Sequence, residues 1–179
     1  MKELSLHILD IVQNSITAGA QNILIGLVDS DNRDIISIVV KDDGSGMSEE
    51  FLEKVIDPFT TSRTTRNVGL GIPLLKSAAE LTGGDFNIAS KLDEGTEIAV
   101  SFKKSNIDCP PIGDIDSTII TLIMGSPTLD FTVTYETDKG EFTMETSIFK
   151  NELEDIPLDQ PEILAWIREW FKENREQIY

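Results

Sequence analysis

The sequence has 179 residues, 40% of them hydrophobic and 26% charged, which is the composition of a globular chain of one or two domains. Its 32 acidic residues against 15 basic ones leave a net charge of -17, and a chain this acidic is a poor partner for nucleic acid or an anionic membrane. The single cysteine, Cys109, excludes an intrachain disulfide, and the N-terminal residues lack a signal-peptide pattern, so we expect a cytoplasmic protein.

Residues 1–104 alternate between helical and extended patterns. The first helix is predicted over residues 4–18, where Leu9, Val12 and Ile16 recur at steps of three and four. Ser48 suits the start of a short helix, because its hydroxyl can accept a hydrogen bond from the first turn. The other patterns predict strands over 23–27 and 36–40, a polar loop over 59–67, a helix over 71–81, and a hairpin formed by 86–90 and 97–102.

Residues 105–111 contain two consecutive prolines and indicate a linker. The last helix is predicted to begin at Pro161, because proline is favoured in the first helical turn. The other patterns beyond the linker predict a hairpin of 131–135 and 141–148, and a segment over 118–124 that fits a helix or a strand. We therefore predict a small α/β C-terminal domain of unknown role over residues 112–179.

Asp10 and Asn14 are four residues apart in the first predicted helix, so both side chains project from one face. This pair suits a magnesium ion, which takes few protein oxygens and completes its octahedron with water and phosphate oxygens. The carboxylate of Asp10 could also orient or deprotonate an attacking water. Solvated polar residues on an amphipathic helix are the alternative interpretation.

Residues 42–46 (DDGSG) follow a buried strand directly. The backbone at Gly44 and Gly46 can approach a ligand closely, and the carboxylate of Asp42 can accept a hydrogen bond from an exocyclic amine such as that of adenine. Thr96 enters the last strand of the predicted hairpin, where its hydroxyl could complete a base pocket. An ordinary Asp/Gly turn is the alternative for residues 42–46.

The predicted polar loop contains Thr61 and Arg63, and it is followed by Gly69, Leu70 and Gly71 at the start of a helix. Backbone N–H groups at a glycine-rich helix start bind phosphates, and an arginine adds charge-assisted hydrogen bonds. A short Gly-x-Gly sequence is weak evidence by itself. The stronger evidence is the order and spacing of four features together: the pair Asp10 and Asn14, residues 42–46, the loop that leads to the Gly-x-Gly sequence, and Thr96.

Residues 9–20 resemble the N-box of mismatch-repair ATPases, whereas residues 42–46, 58–61 and 69–71 resemble the G1, F and G2 boxes of histidine kinases. Together they resemble the GHKL superfamily, which comprises gyrase, heat-shock chaperone, histidine kinase and MutL-type ATPases. The resemblance covers about residues 4–103. It implies an α+β Bergerat fold, a mixed sheet backed by helices with ATP held under a mobile lid, here over residues 1–104 with a small C-terminal α/β appendage.

The resemblance also implies a role for each matching residue. Asn14 would bind Mg²⁺, Asp42 would bind the adenine of ATP, and Thr96 would support that contact through water. Asp10 stands where the ATPases of the superfamily carry a catalytic glutamate, so it is the candidate catalytic residue, although its shorter carboxylate departs from that pattern. Gly44, Gly46, Gly69 and Gly71 would form the backbone of the pocket and lid, and Thr61, Arg63 and Leu70 are further candidates for binding ATP.

Three functions fit this site. The first is a stand-alone histidine-kinase-like protein that signals to a partner protein or transfers phosphate to it. The second is a slow ATPase whose lid gates a homodimer. The third is a nucleotide sensor that does not hydrolyse ATP.

His7 is the one histidine of the chain and lies three residues before Asp10. We expect a structural or solvent-facing histidine near the rim of the pocket. Because six residues precede it, we expect no dimerisation domain of the kind that carries the phosphoacceptor of histidine kinases. We also predict that the protein does not autophosphorylate on a histidine.

Overall fold

The computed structural model describes residues 3–56, 71–154 and 156–179. In these residues the chain forms six helices and six strands. In chain order they are α1 (Leu4–Thr17), β1 (Asn22–Ser30), β2 (Ile35–Asp42), α2 (Glu49–Ile56), α3 (Gly71–Thr82), β3 (Phe86–Lys91), β4 (Gly95–Lys103), α4 (Ile115–Gly125), β5 (Asp130–Thr137), β6 (Gly140–Glu145), α5 (Thr146–Leu153) and α6 (Pro161–Gln177).

The strands form one sheet in the order β3-β4-β2-β1-β5-β6. Strands β1 and β5 pair in parallel, and the other neighbouring strands pair antiparallel. The fold is therefore α+β with a mixed sheet, as predicted. The predicted linker at 105–111 lies between β4 and α4, and the strands on its two sides belong to the same sheet. An independent C-terminal domain over 112–179 stays a prediction.

Buried apolar side chains at alternate positions of the central strands form the core. Ile25 of β1 lies opposite Val40 of β2 and Val133 of β5, and Val40 lies opposite Ile98 of β4. Each of these side chains is at most 3% exposed. The apolar stripes of α1, α3, α4 and α6 join the same buried cluster, so the helices and the sheet share one core.

Most of the predicted helices and strands are present, but the end of one predicted strand is a helix in the structure. The predicted strand over 141–148 ends at Glu145, and α5 begins at Thr146. Thr146 is fully buried, and its hydroxyl accepts a 2.8 Å hydrogen bond from the backbone N–H of Phe131. The side chain thus satisfies the group that a further residue of β6 would have paired, which lets the chain turn into a helix.

The segment over 118–124 belongs to a helix, α4, and not to a strand. Asp114 precedes this helix and accepts a 2.9 Å hydrogen bond from the backbone N–H of Ser117, which caps its first turn. The last helix begins at Pro161, as predicted. Over the described ranges, none of the helices has both the length and the apolar character that crossing a bilayer requires.

Candidate functional site

A cleft of about 250 Å³ opens where β2 ends and β4 begins, and α1 and α2 form its sides. Its volume is just below the roughly 300–1,000 Å³ that is usual for small-molecule sites. Asn14 of α1, Asp42 of β2 and Thr96 of β4 line it with polar groups. Three residues that the sequence singled out therefore lie around one cavity.

Asp42 is the last residue of β2 and is only 8% exposed. One carboxylate oxygen, Oδ2, accepts a 2.6 Å hydrogen bond from the hydroxyl of Ser15, and Oδ1 accepts a 2.9 Å bond from the backbone N–H of Gly44. A buried carboxylate is costly unless it is hydrogen-bonded in this way. Because a carboxylate offers about four acceptor positions, about two remain for a ligand in the cleft.

The neighbouring Asp43 does not line the cleft. Its carboxylate instead connects the turn after β2 to the residues that follow α1. Its Oδ1 accepts hydrogen bonds of 2.7 and 2.9 Å from the backbone N–H groups of Gln21 and Asn22, and its Oδ2 accepts a 2.7 Å bond from the side chain of Asn22. Desolvation alone would raise the pKa of Asp43, but these hydrogen bonds outweigh it and hold the pKa below its ordinary value. Asp43 is therefore a structural carboxylate.

Two glycines let the β3–β4 hairpin close against the turn that follows Asp42. Gly46 has a φ of +61°, and a Cβ there would overlap the carbonyl oxygen of Lys91. Gly95 has a φ of +98°, and a Cβ there would overlap the carbonyl oxygen of Asp42. Packing within the protein thus explains why residue 46 is glycine, although Gly46 also lines the cleft.

Gly44 is closely packed as well. A Cβ at this position would lie 3.0 Å from the Cβ of Ala18 and 3.1 Å from Oδ1 of Asp42. Contacts this short would push on the carboxylate that lines the cleft. A side chain at residue 44 would therefore disturb Asp42 directly.

Thr96 lies opposite Asp42 in the pairing of β2 with β4. Its hydroxyl forms a 2.8 Å hydrogen bond with the hydroxyl of Ser90, which also accepts a 2.9 Å bond from the backbone N–H of Met47. The Thr96 side chain is half-buried and its position is fixed by this contact. It therefore stands beside the carboxylate of Asp42 at the same end of the sheet.

Asn14 and Asp10 occupy different surroundings on α1. Asn14 is exposed and lines the cleft. Asp10 is half-buried one turn earlier, and its carboxylate lies so close to Gly71, the first residue of α3, that a Cβ on Gly71 would overlap Oδ2. The carboxylate thus lies at the contact between α1 and the start of α3, and its role in water activation stays a prediction.

Four of the predicted site residues, Thr61, Arg63, Gly69 and Leu70, lie outside the described residues. Their assignment to a phosphate-binding lid stays a prediction. Gly71 is described, and a Cβ at that position would force the carboxylate of Asp10 to move.

His7 is 2% exposed, so it is an interior residue and not a solvent-facing one. Its Nδ1 is buried and has no hydrogen-bond partner within the described ranges. Burial lowers the pKa of His7, and the negative charge of Asp10 opposes this shift only in part. Burial therefore favours the neutral form of the imidazole.

Ser15 and the apolar side of the cleft are parts of the site that the sequence motifs do not indicate. Ser15 falls on the buried stripe of α1 that Leu4, Ile8 and Ile11 define, and a polar residue in such a stripe is the signal that could have revealed it. The apolar side is formed by Met47, Phe51, Val55, Ile72 and Ile98. These residues carry no motif, because only the fold brings them together.

Comparison with known proteins places this arrangement in a family. Residues 2–106 match the family described as Histidine kinase-, DNA gyrase B-, and HSP90-like ATPase, which is more than half of the chain. The match includes the residues of the cleft named above.

The matching curated proteins include bacterial kinases. Sporulation kinase D of Bacillus subtilis (strain 168) is 31% identical over 100 residues, which is 55% of this chain and 19% of that protein. Sensor histidine kinase YcbM of the same organism is 33% identical over 100 residues, 53% of this chain and 32% of that protein. The chain thus spans about a fifth to a third of the length of these relatives.

A solved structure, the MutL ATPase domain of Aquifex aeolicus complexed with ADP, superposes with a TM-score of 0.57. The superposition covers 86% of this chain and 68% of that one, at 17% sequence identity. The similarity is one of fold, and the superposition includes more of the chain than residues 2–106.

Proposed function

Because the chain belongs to the histidine kinase-, DNA gyrase B- and HSP90-like ATPase family, we propose that it binds Mg-ATP in the cleft at Asp42. In this proposal it acts as a histidine-kinase-like protein that passes a signal or a phosphoryl group to a partner protein. The observation that carries the proposal is the buried carboxylate of Asp42, which Ser15 and Gly44 orient and which keeps acceptor positions open toward the cleft.

Asp42 would accept a hydrogen bond from the exocyclic amine of adenine. Ser15 would hold the carboxylate in the required orientation, and the hydroxyl of Thr96 would support the base through water. Gly44 and Gly46 would keep the backbone close to the base. Selectivity follows because a base without the amine would cover the remaining acceptor positions of the buried carboxylate without supplying a donor to them.

The residues of the site also suit Mg²⁺ when ATP brings it. Within the described part of the chain no group of three or more His, Cys, Asp or Glu residues could hold a metal by itself. An ion at the amide oxygen of Asn14 would take its other ligands from phosphate and water, as Mg²⁺ commonly does. The ion would neutralise charge on the phosphates, and Asp10 would orient a nucleophile near the start of α3.

Thr61, Arg63, Gly69, Leu70 and Gly71 would bind the phosphates in this proposal. The support is the Gly-x-Gly sequence that leads into α3, since the N–H groups at the start of a helix favour an anion. A local site of this kind is what a polyanion requires on a chain with a net charge of -17.

A slow ATPase that gates a homodimer is the second candidate. It is favoured by the fold of the MutL ATPase domain, whose superposition reaches 86% of this chain. The net charge of -17 disfavours a version that acts on DNA.

Calorimetry with Mg-ATP tests the binding site. Asp42→Ala removes the acceptor of the adenine amine, and an unpaired buried group costs about 1–3 kcal/mol, so we expect an affinity loss of about tenfold or more. Asp85→Ala removes the same charge from an exposed position just before β3 and is the matched control. Equal affinity of the wild-type and Asp42→Ala proteins would reject the assignment.

Incubation with γ-labelled ATP and cell extract separates the functions. Label on a second protein supports phosphotransfer, whereas label released as phosphate, together with ATP-dependent dimerisation, supports the slow ATPase. Tight binding of ATP without turnover or transfer would instead identify a nucleotide sensor.

A further inference from the structure

Besides its polar groups, the cleft has an apolar side that includes residues of α2. Phe51 and Val55 of this helix line the cleft together with Met47 and Ile72. Val55 is 3% exposed, whereas Phe51 is 39% exposed. Phe51 thus borders the cleft and is only partly covered by the rest of the protein, and an aromatic ring packs favourably against another flat ring.

The first turn of α2 is fixed, so the position of Phe51 is defined. The hydroxyl of Ser48 accepts a 3.3 Å hydrogen bond from the backbone N–H of Phe51. One residue earlier, the N–H of Met47 donates to Ser90 of β3 at 2.9 Å. These contacts hold the start of α2 against the strand hairpin whose Thr96 also lines the cleft.

A nucleobase presents a polar edge and two apolar faces, and the cleft offers a partner for each. Asp42 and Thr96 are the hydrogen-bonding groups for the edge. The faces require flat or aliphatic surfaces, and among the described residues that line the cleft Phe51 is the aromatic one.

We propose that Phe51 packs its ring on the face of the nucleobase and thereby contributes to recognition of the base. This inference rests on the proposed function, since it requires a nucleotide in the cleft. The competing explanation is a surface residue without a role, because single exposed apolar side chains are common. Leu81 of α3 is such a residue, being 72% exposed and absent from the lining of the cleft.

The test compares Mg-ATP with Mg-tripolyphosphate, which lacks the base. Base–aromatic stacking lost on truncation to alanine corresponds to roughly 5- to 150-fold in affinity. We expect Phe51→Ala to weaken ATP binding by that factor and to leave tripolyphosphate binding unchanged. Phe51→Tyr should restore ATP affinity, and Leu81→Ala should bind ATP like the wild type.

A fluorescence measurement reports on contact with the base directly, at ligand concentrations that saturate the site. In Phe51→Trp, the added indole should be quenched by ATP and not by tripolyphosphate, above the constant signal of Trp166 and Trp170. Quenching by both ligands, or by neither, contradicts stacking.

The outcomes separate this inference from the proposed function. If Phe51→Ala binds ATP normally while Asp42→Ala loses affinity, the proposed function stands and the role of Phe51 is wrong. If Phe51→Ala weakens ATP and tripolyphosphate equally, its effect is structural and the inference is also wrong. A wild-type protein that binds no ATP overturns both.

Discussion

Replacing Ser15 with alanine removes the hydroxyl that donates to Oδ2 of Asp42 at 2.6 Å. Both residues are buried, with Ser15 at 3% and Asp42 at 8% exposure. The same hydroxyl lies 3.4 Å from the carbonyl oxygen of Ile11, a longer contact than the one to the carboxylate. The single proton of the serine is therefore best placed on Asp42.

The size of the effect follows from two opposing contributions. A hydrogen bond to a charged group contributes about 1.5–3 kcal/mol to stability. Alanine is the better helix former by roughly 0.5 kcal/mol, which offsets part of the loss in α1. The free energy of unfolding of Ser15→Ala should therefore fall by about 1–2.5 kcal/mol.

Urea denaturation followed by circular dichroism measures this change, and Thr17→Ala is the control in the same helix. The hydroxyl of Thr17 is exposed and donates to the carbonyl oxygen of Gln13 at 2.8 Å, so its loss should change stability by about 0.5 kcal/mol or less. A double-mutant cycle of Ser15→Ala with Asp42→Ala should show a coupling energy above about 0.5 kcal/mol.

Nucleotide binding should respond as well, because Asp42 would lose the contact that orients it. Affinity for Mg-ATP should fall in Ser15→Ala and stay unchanged in Asp85→Ala, whose side chain is exposed and does not line the cleft. If Ser15→Ala is as stable as the control and binds ATP like the wild type, the hydroxyl does not hold the carboxylate.

Two further predictions concern α1. Asn14→Ala should abolish the magnesium-dependent part of ATP binding, whereas Asp10→Asn should retain ATP binding and lower ATP turnover. If both variants bind and turn over ATP like the wild type, the chemistry lies elsewhere. His7 has a pKa below its ordinary value of 6.5, so the unfolded chain takes up a proton first as the pH falls below 6.5. The wild type should therefore lose stability as the pH falls from 6.5 through the lowered pKa of His7, and a His7→Leu variant should lack this part of the loss. Equal acid dependence of the two proteins over this pH range in urea titrations would contradict the prediction.

The sequence predicts those parts of the fold that local periodicity determines. Alternation marks β2, in which Ile36, Ile38 and Val40 are buried and Asp42 continues the same phase. The same alternation predicts that the side chains of Asp42 and Asp43 lie on opposite sides of the sheet, since neighbouring residues of a strand face opposite sides. The carboxylate that belongs to the cleft could therefore be identified from the sequence.

Contacts between distant segments could not be predicted in this way. The strand predicted to run to residue 148 stops at Glu145, because Thr146 bonds to Phe131 through its side chain, fifteen residues away. The apolar side of the cleft at Phe51 depends on how α2 lies against the sheet, for which periodicity gives no signal. The pairing of Ser15 with Asp42 likewise joins residues that are 27 positions apart.

The parallel pairing of β1 with β5 has a consequence for any shortened form of the chain. Strand β1 is hydrogen-bonded on one side by β2 and on the other by β5, whose residues lie beyond the family match that ends at residue 106. A fragment cut at that boundary would turn β1 into an edge strand, with the N–H and C=O groups that now pair with β5 open to other molecules. Edge strands of this kind, rich in aliphatic residues such as Ile23 and Leu24, are templates for aggregation. The segment after residue 106 thus covers an edge of the part of the sheet that carries the cleft.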